Sequence, residues 1–235
     1  MTARTATQAL ADATAALTSG RDITDVLDRL VRDSAEVLGA QAVGLLVVAR
    51  DGDLELLSAT SHQVAELELF QIQQDTGPCI DAVRGGSLVW SDSQDDIRAR
   101  WPRVGAAIIE AGHRGVWAYP LRWRGRTIGA LNTFHGTGNP AVADAGLLGQ
   151  TLADIATVVI VQTDDLSAEQ ITVRVQQALQ ARTVIEQAKG VLAYTRGLDM
   201  ATAYDLLRHV AADNHATITG TAAGIIARAQ NRDQA

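Results

Sequence analysis

One cysteine, Cys79, and one lysine, Lys189, stand in a chain of 235 residues. A lone cysteine excludes an internal disulfide, a cysteine-rich zinc site and a two-cysteine redox couple. Aromatics make up only 4% of the residues, so the core has to be built mainly from Ala, Val, Leu and Ile. Apolar runs such as Ala42–Ala49 and Ala156–Val161 fall far short of the roughly 20 residues that a spanning helix needs. The first twenty residues lack the continuous apolar centre of a signal peptide. The phosphate-loop, zinc-protease and serine-hydrolase signatures are absent too. These absences predict a soluble, cytoplasmic, non-membrane protein of a reducing compartment, with no metal and no cofactor.

What remains is a chain for folding. It is 47% hydrophobic and 20% charged, which supports a packed core. The net charge of −7 excludes a basic coat over the whole surface but not a local patch. Charge is unevenly spread: residues 1–165 hold 13 Arg against 21 Asp and Glu. Residues 166–235 hold 6 Arg and Lys189 against 6 Asp and Glu. The front is acidic and the tail slightly basic.

Periodicity divides the chain the same way. Residues 1–38 read as two helices broken at Ser19–Gly20, the second opened by Asp22 or Thr24 and closed by Gly39. Val43–Ala49 and Leu54–Thr60 read as a hairpin turning at Asp51–Gly52. Ser61–Gly77 carries no clear period and reads as irregular with some helix. A short helix over Cys79–Val83, a strand at Leu88–Trp90 and one helix over Ile97–Ala111 follow. A second hairpin, Val116–Leu121 and Thr127–Phe134, turns at Arg122–Gly125. This order predicts an α+β domain, one antiparallel sheet with helices mostly on one side. From Ala141 onward the pattern is helical. A linking helix leads to three tail helices: about Ser167–Tyr194 closed by Gly197, one opened by Asp199, and one opened near Thr217 or Thr219. Whether the linking helix runs on through Asp164–Asp165 is left open by the pattern.

Several features admit two readings. Cys79 after Pro78 suits either a helix-N-terminal nucleophile or a buried structural thiol. Asp92, Asp95 and Asp96 suit a cation or a solvated helix start. The five histidines have no ligand spacing. Trp90, Trp101, Trp117 and Trp123 line either a ligand pocket or the core. Leu148, Leu152, Ile155, Val159, Gln162 and Leu166 step as a heptad seam. That seam pairs two chains as a homodimer or packs the helix on its own sheet. In the tail, Arg182, Glu186, Lys189 and Arg196 share one helix face beside Gly190. Such a stripe suits phosphate contact or a plain solvated face.

The tail's motifs point further. The run Arg182-Thr183-Val184-Ile185-Glu186-Gln187-Ala188-Lys189-Gly190, with Ala203-Tyr204-Asp205-Leu206-Leu207-Arg208 downstream, resembles the core of an ANTAR domain over roughly residues 167–229. The resemblance implies a three-helix module that binds paired RNA stem-loops in nascent transcripts and prevents termination. On it, Arg182, Lys189, Gly190, Arg196, Tyr204 and Arg208 are the expected RNA-binding residues. The family's acidic residue near the start of the last helix is missing from Thr217–Ala222.

The first 160 residues resemble a GAF sensor domain of the actinobacterial kind found fused to ANTAR. Gly77-Pro78-Cys79-Ile80-Asp81-Ala82, Arg100-Trp101-Pro102, Pro120-Leu121 and Ile128-Gly129-Ala130-Leu131-Asn132 carry the likeness. Thr76 and Val142 stand where an acidic and an aromatic residue are usual. Together these imply a GAF-like domain over 1–163, with unknown small-molecule ligand if any, and an ANTAR-like domain over 164–235. The rival reading is a small-molecule sensor or dimerisation module whose ANTAR-like tail does not bind RNA. A GAF-fold sulfoxide reductase generally needs more than one cysteine, so no enzyme is expected.

Overall fold

A computed structural model describes residues 5–18, 22–49, 51–137, 144–161, 168–214 and 216–232. The helix α1 (Ala6–Thr18) precedes α2 (Ile23–Leu38). Asp22 caps α2 by accepting from the Thr24 N–H at 2.8 Å. Gly39 ends it in the left-handed region at φ 61°, where a side chain would be strained. The strands β1 (Ala42–Val48) and β2 (Leu54–Ala59) form the first hairpin. Then come α3 (His62–Gln74), α4 (Pro78–Gly85) and the short strand β3 (Val89–Ser91). The helices α5 (Gln94–Arg100) and α6 (Pro102–Glu110) lead into the hairpin β4 (Gly115–Trp123) and β5 (Arg126–His135). The five strands form one antiparallel sheet in the order β2-β1-β5-β4-β3.

The expected α+β sheet is there, but it is covered on both faces rather than mostly on one. Val43, Leu45, Val47, Tyr119, Leu121 and Leu131 point to one face, under α2 and α7 (Ala145–Val161). Leu46, Leu56, Val116, Ala118, Ala130 and Phe134 point to the other, under α3, α4, α5 and α6. A sheet buried on both faces explains why β1 reads as an unbroken apolar run. The helix α7 lies close on the sheet because Gly149 faces the Tyr119 ring, where any Cβ would collide with it.

Two further expectations change. Ser61–Gly77 holds a regular helix, α3, capped by Ser61, whose side chain accepts from the Val64 N–H. The expected single helix over Ile97–Ala111 is two, broken at Trp101, with Pro102 at the start of the second. Proline pushes its preceding residue out of helical geometry, so the break falls where the sequence places it.

The tail forms α8 (Ala168–Arg196), α9 (Met200–Asp213) and α10 (Ile218–Arg232). Gly197 ends α8 and Asp199 caps α9, accepting from the Thr202 N–H at 2.8 Å. Ile185, Ala188, Leu192, Ala203, Leu207, Ala211, Ala222 and Ile225 close a separate small core. The expected division after residue 163, the Ser167 cap, and the seam residues Gln162 and Leu166 lie outside the described residues.

Candidate nucleic-acid interface

Two of the tail helices, α8 and α9, gather several of the expected residues around one ring. Lys189 Nζ lies 5.0 Å from the Tyr204 ring centre and 2.8 Å from Glu186 Oε2. Arg182 pairs with the same Glu186 at 3.3 Å, and Arg208 stands 5.7 Å from the Tyr204 ring. Two cations flanking a tyrosine face gain from its quadrupole, more so away from water. Arg182, Lys189, Tyr204 and Arg208 are thus one cluster. Gly190 and Arg196 lie beyond it on α8, both exposed, and a Cβ at Gly190 would meet nothing within 4 Å.

The cluster is not open to water. Lys189 is only 2% exposed and the Arg182 side chain 17%. Burial lowers the Arg182 pKa, opposed by Glu186, and burial raises that of the Tyr204 phenol. The cover comes from the acidic front of the chain. The helix α8 packs on β2, α9 on α3, and α10 on α2. Tyr204 donates its hydroxyl to Asp28 Oδ1 at 3.1 Å, and Arg32 pairs with the other Asp28 oxygen. Asp25 accepts from the Ile218 N–H at 3.0 Å, at the start of α10. The expected RNA residues carried a signal in sequence. Asp25 and Asp28 carried none beyond acids on a polar helix face.

The other open features resolve within the front domain. Leu152 and Val159 are fully buried in the core under α7, with Leu148 and Ile155 packed against it. The described part of the seam is therefore the inward face of α7, not a surface free for a second chain. The outward face carries Leu147, Thr151, Asp154 and Val158, with Leu147 73% and Val158 46% exposed. Cys79 is buried, and burial pushes its thiol well up, so it is a packed thiol rather than a nucleophile. Trp101 is buried with its Nε1 donating to Asp81 at 2.8 Å, whereas Trp90 stacks on Trp117 at the surface. The tryptophans do not converge on one pocket. Among the described residues no group of three His, Cys, Asp or Glu side chains is placed to hold a metal. Nor is any helix there long and apolar enough to cross a membrane.

A second polar cluster lies inside the sheet's other face. Glu68 is wholly buried and accepts from Asn132 Nδ2 at 2.8 and 2.9 Å and from Gln71 Nε2 at 2.7 Å. Cys79 donates to Gln71 Oε1 at 3.3 Å. Gly44, opposite Asn132 in the β1–β5 register, leaves the space that the Glu68 carboxylate fills. Burial pushes the Glu68 carboxyl up to about 8, against the lowering effect of the Asn132 amide.

Comparison with known proteins fits this two-part plan. The GAF domain family model matches residues 20–161, which is more than half of the chain. The chain belongs to the GAF domain family. The ANTAR domain model matches residues 174–226, the three tail helices. Among solved structures, the GAF domain of a phosphoenolpyruvate-protein phosphotransferase from Coxiella burnetii is similar. It aligns at 16% identity with a TM-score of 0.51, over 66% of this chain and 92% of that one. The corresponding domain from Acinetobacter aligns at 13% identity and TM-score 0.50, over 65% and 90%. Free methionine-R-sulfoxide reductase from Neisseria meningitidis aligns at 17% and 0.50, over 74% and 91%. At such identities the likeness speaks for the GAF fold alone. No curated protein matches the chain.

Proposed function

We propose that the protein is an RNA-binding transcription antitermination regulator in which the GAF domain, residues 1–163, controls the ANTAR domain, residues 164–235. One observation carries the reading: Arg182, Lys189 and Arg208 gather around Tyr204 within the segment that matches the ANTAR model. Cations on a rigid helical frame suit the phosphates of folded RNA. Gly190 and Arg196, exposed beyond the cluster on α8, complete the proposed RNA-binding set. The input to the GAF domain is a small molecule, a partner protein, or nothing if the dimer is constitutive, and the chain is no enzyme. It works in the cytoplasm, free of membrane.

Replacing Lys189 by Ala is expected to weaken binding to a tandem stem-loop RNA, recovered with the full chain by pull-down, about tenfold. The salt slope should fall by about 0.7 to 1, one phosphate's worth. Unchanged affinity and slope, with helicity intact, would count against the assignment. The tail has only Tyr194 and Tyr204 as aromatics, too few for a single-strand stacking platform. RNA altered so that its stems cannot form should therefore lose most of its binding. Equal binding of that RNA would overturn recognition by shape.

Two stem-loops ask for two RNA-binding modules, and one chain supplies one. A homodimer is the proposed working unit, joined through the outward face of α7 rather than the buried seam.

A further inference from the structure

Helix α2 of the GAF domain covers the cationic face of the tail, and it does so with carboxylates. Asp28, itself buried, takes the Tyr204 hydroxyl, and Asp25 takes the backbone N–H that opens α10. A phenol O–H and a helix-terminal N–H are donors that phosphate oxygens also accept from. Lys189, Arg182 and Tyr204 border one narrow crevice with Thr24, Leu57, Ser58 and Ala65 of the GAF domain. An RNA backbone has no access to Lys189 there. We infer that α2 is an acidic latch: Asp25 and Asp28 occupy the ANTAR face as stand-ins for phosphates, and RNA must displace them to bind.

The charge balance of the two parts favours this closure. The acidic excess of residues 1–165 faces a tail with a slight basic excess, so attraction between them is the default. The start of α10 has no acidic residue of its own in its first turn; Asp25 supplies one from the sensor. Closed and open forms are then two states: the latch holds the face in the closed one, and RNA binds it in the open one. Any signal that moves α2 relative to β2 shifts that balance without touching the RNA face.

The inference rests on the RNA reading, but the latch has a readout of its own. Lys189 is the only side-chain amine in the chain, so acetylation by an N-hydroxysuccinimide acetate, read on the Lys189 peptide apart from the α-amino group by mass spectrometry, reports on its exposure. In the full-length protein it should react slowly. In D28A, and in the double variant D25A/D28A, it should react about tenfold faster or more, since a charged hydrogen-bond acceptor is lost. Y204F is the second variant, which keeps the ring beside Lys189 and removes only the hydroxyl; it should move the same way by a smaller factor. Each variant is first checked for wild-type helicity by circular dichroism. Tandem stem-loop RNA should bind D25A/D28A about tenfold more tightly than wild type.

Labelling at the wild-type rate in all three variants overturns the latch, whatever RNA does. Faster labelling with unchanged RNA affinity overturns the competition. Faster labelling with no RNA binding by any form supports the latch as a cover and overturns the proposed function instead.

Discussion

Replacing Val159 by Asp is expected to unfold the GAF domain, whereas replacing its neighbour Val158 by Asp should leave the fold intact. Val159, on the inward face of α7, is fully buried in the core that holds Leu152, Ala156 and the sheet residues Tyr119 and Leu131. An aspartate there has no cation to pair with in that cluster and must either ionise in an apolar site or fold protonated. Either way the cost is about 4 kcal/mol or more, which is comparable to the whole stability of many domains. Val158 is one position round the helix and 46% exposed, so its replacement meets water. Urea denaturation of both variants separates the cases; a V159D protein as stable as wild type would mean that α7 does not lie as described. Sedimentation of V158D then tests the dimer. Dissociation of a wild-type dimer supports the outward face as its surface, and a wild-type monomer removes the homodimer from the proposal.

That pair of residues also marks how far the sequence can be read. The 4-3-4 spacing of Leu148, Leu152, Ile155 and Val159 defines one apolar face, and an apolar face fits another chain or the protein's own sheet equally well. Periodicity gives the face, not the partner. The strands were legible because β-branched runs are bounded by turn residues such as Asp51–Gly52 and Arg124–Gly125. The tail helices were legible from their caps, Asp199 and Gly197, and from spacing. Helix α3 was not, because its inward stripe of Val64, Ala65, Leu67, Glu68 and Gln71 includes two polar residues. A pattern search for apolar period has nothing to find where the buried positions are Glu and Gln.

The proposed RNA face was legible as composition and motif but not as a covered surface. Arg182, Lys189 and Tyr204 announce themselves by charge, spacing and resemblance. Their cover depends on a contact between Asp28 and Tyr204, 176 residues apart in the chain. No local signal encodes such a contact. Asp28 sits one residue after a core leucine and pairs with Arg32 one turn on, and in sequence it reads as an ordinary helical ion pair.

Stability should fall as pH rises from about 6.5 to about 8, and Glu68 is the reason. Its carboxyl titrates near 8 in the folded protein, because burial disfavours the charged form, against about 4.5 when exposed. Below pH 4.5 it is protonated in folded and unfolded chains alike. Between the two values the unfolded chain releases the proton while the folded one holds it, so each pH unit costs about 1.4 kcal/mol of stability. Above about 8 both forms are ionised and the loss is complete, of order 5 kcal/mol. His135 works in the opposite direction. Burial lowers its pKa from 6.5 to about 4, so the unfolded chain takes up a proton that the folded one refuses. Its contribution is present above pH 6.5 and is lost as pH falls towards 4. From 4.5 to 6.5 the Glu68 slope is opposed by that of His135 and by that of His113, whose pKa burial also lowers; above 6.5 both histidine slopes end and the Glu68 slope remains, a drop of about 2 kcal/mol by pH 8. Glu68→Gln removes the ionisation while keeping the shape. Its amide faces the Gln71 and Asn132 donors and brings its own cost, but that cost is the same at every pH in the window. Urea unfolding at pH 5.5, 6.5 and 8.5 should therefore show a decline above 6.5 in the wild type and none in E68Q. The same decline in E68Q would assign it to another group, and a wild-type stability that holds level to pH 8.5 would mean that Glu68 folds already ionised.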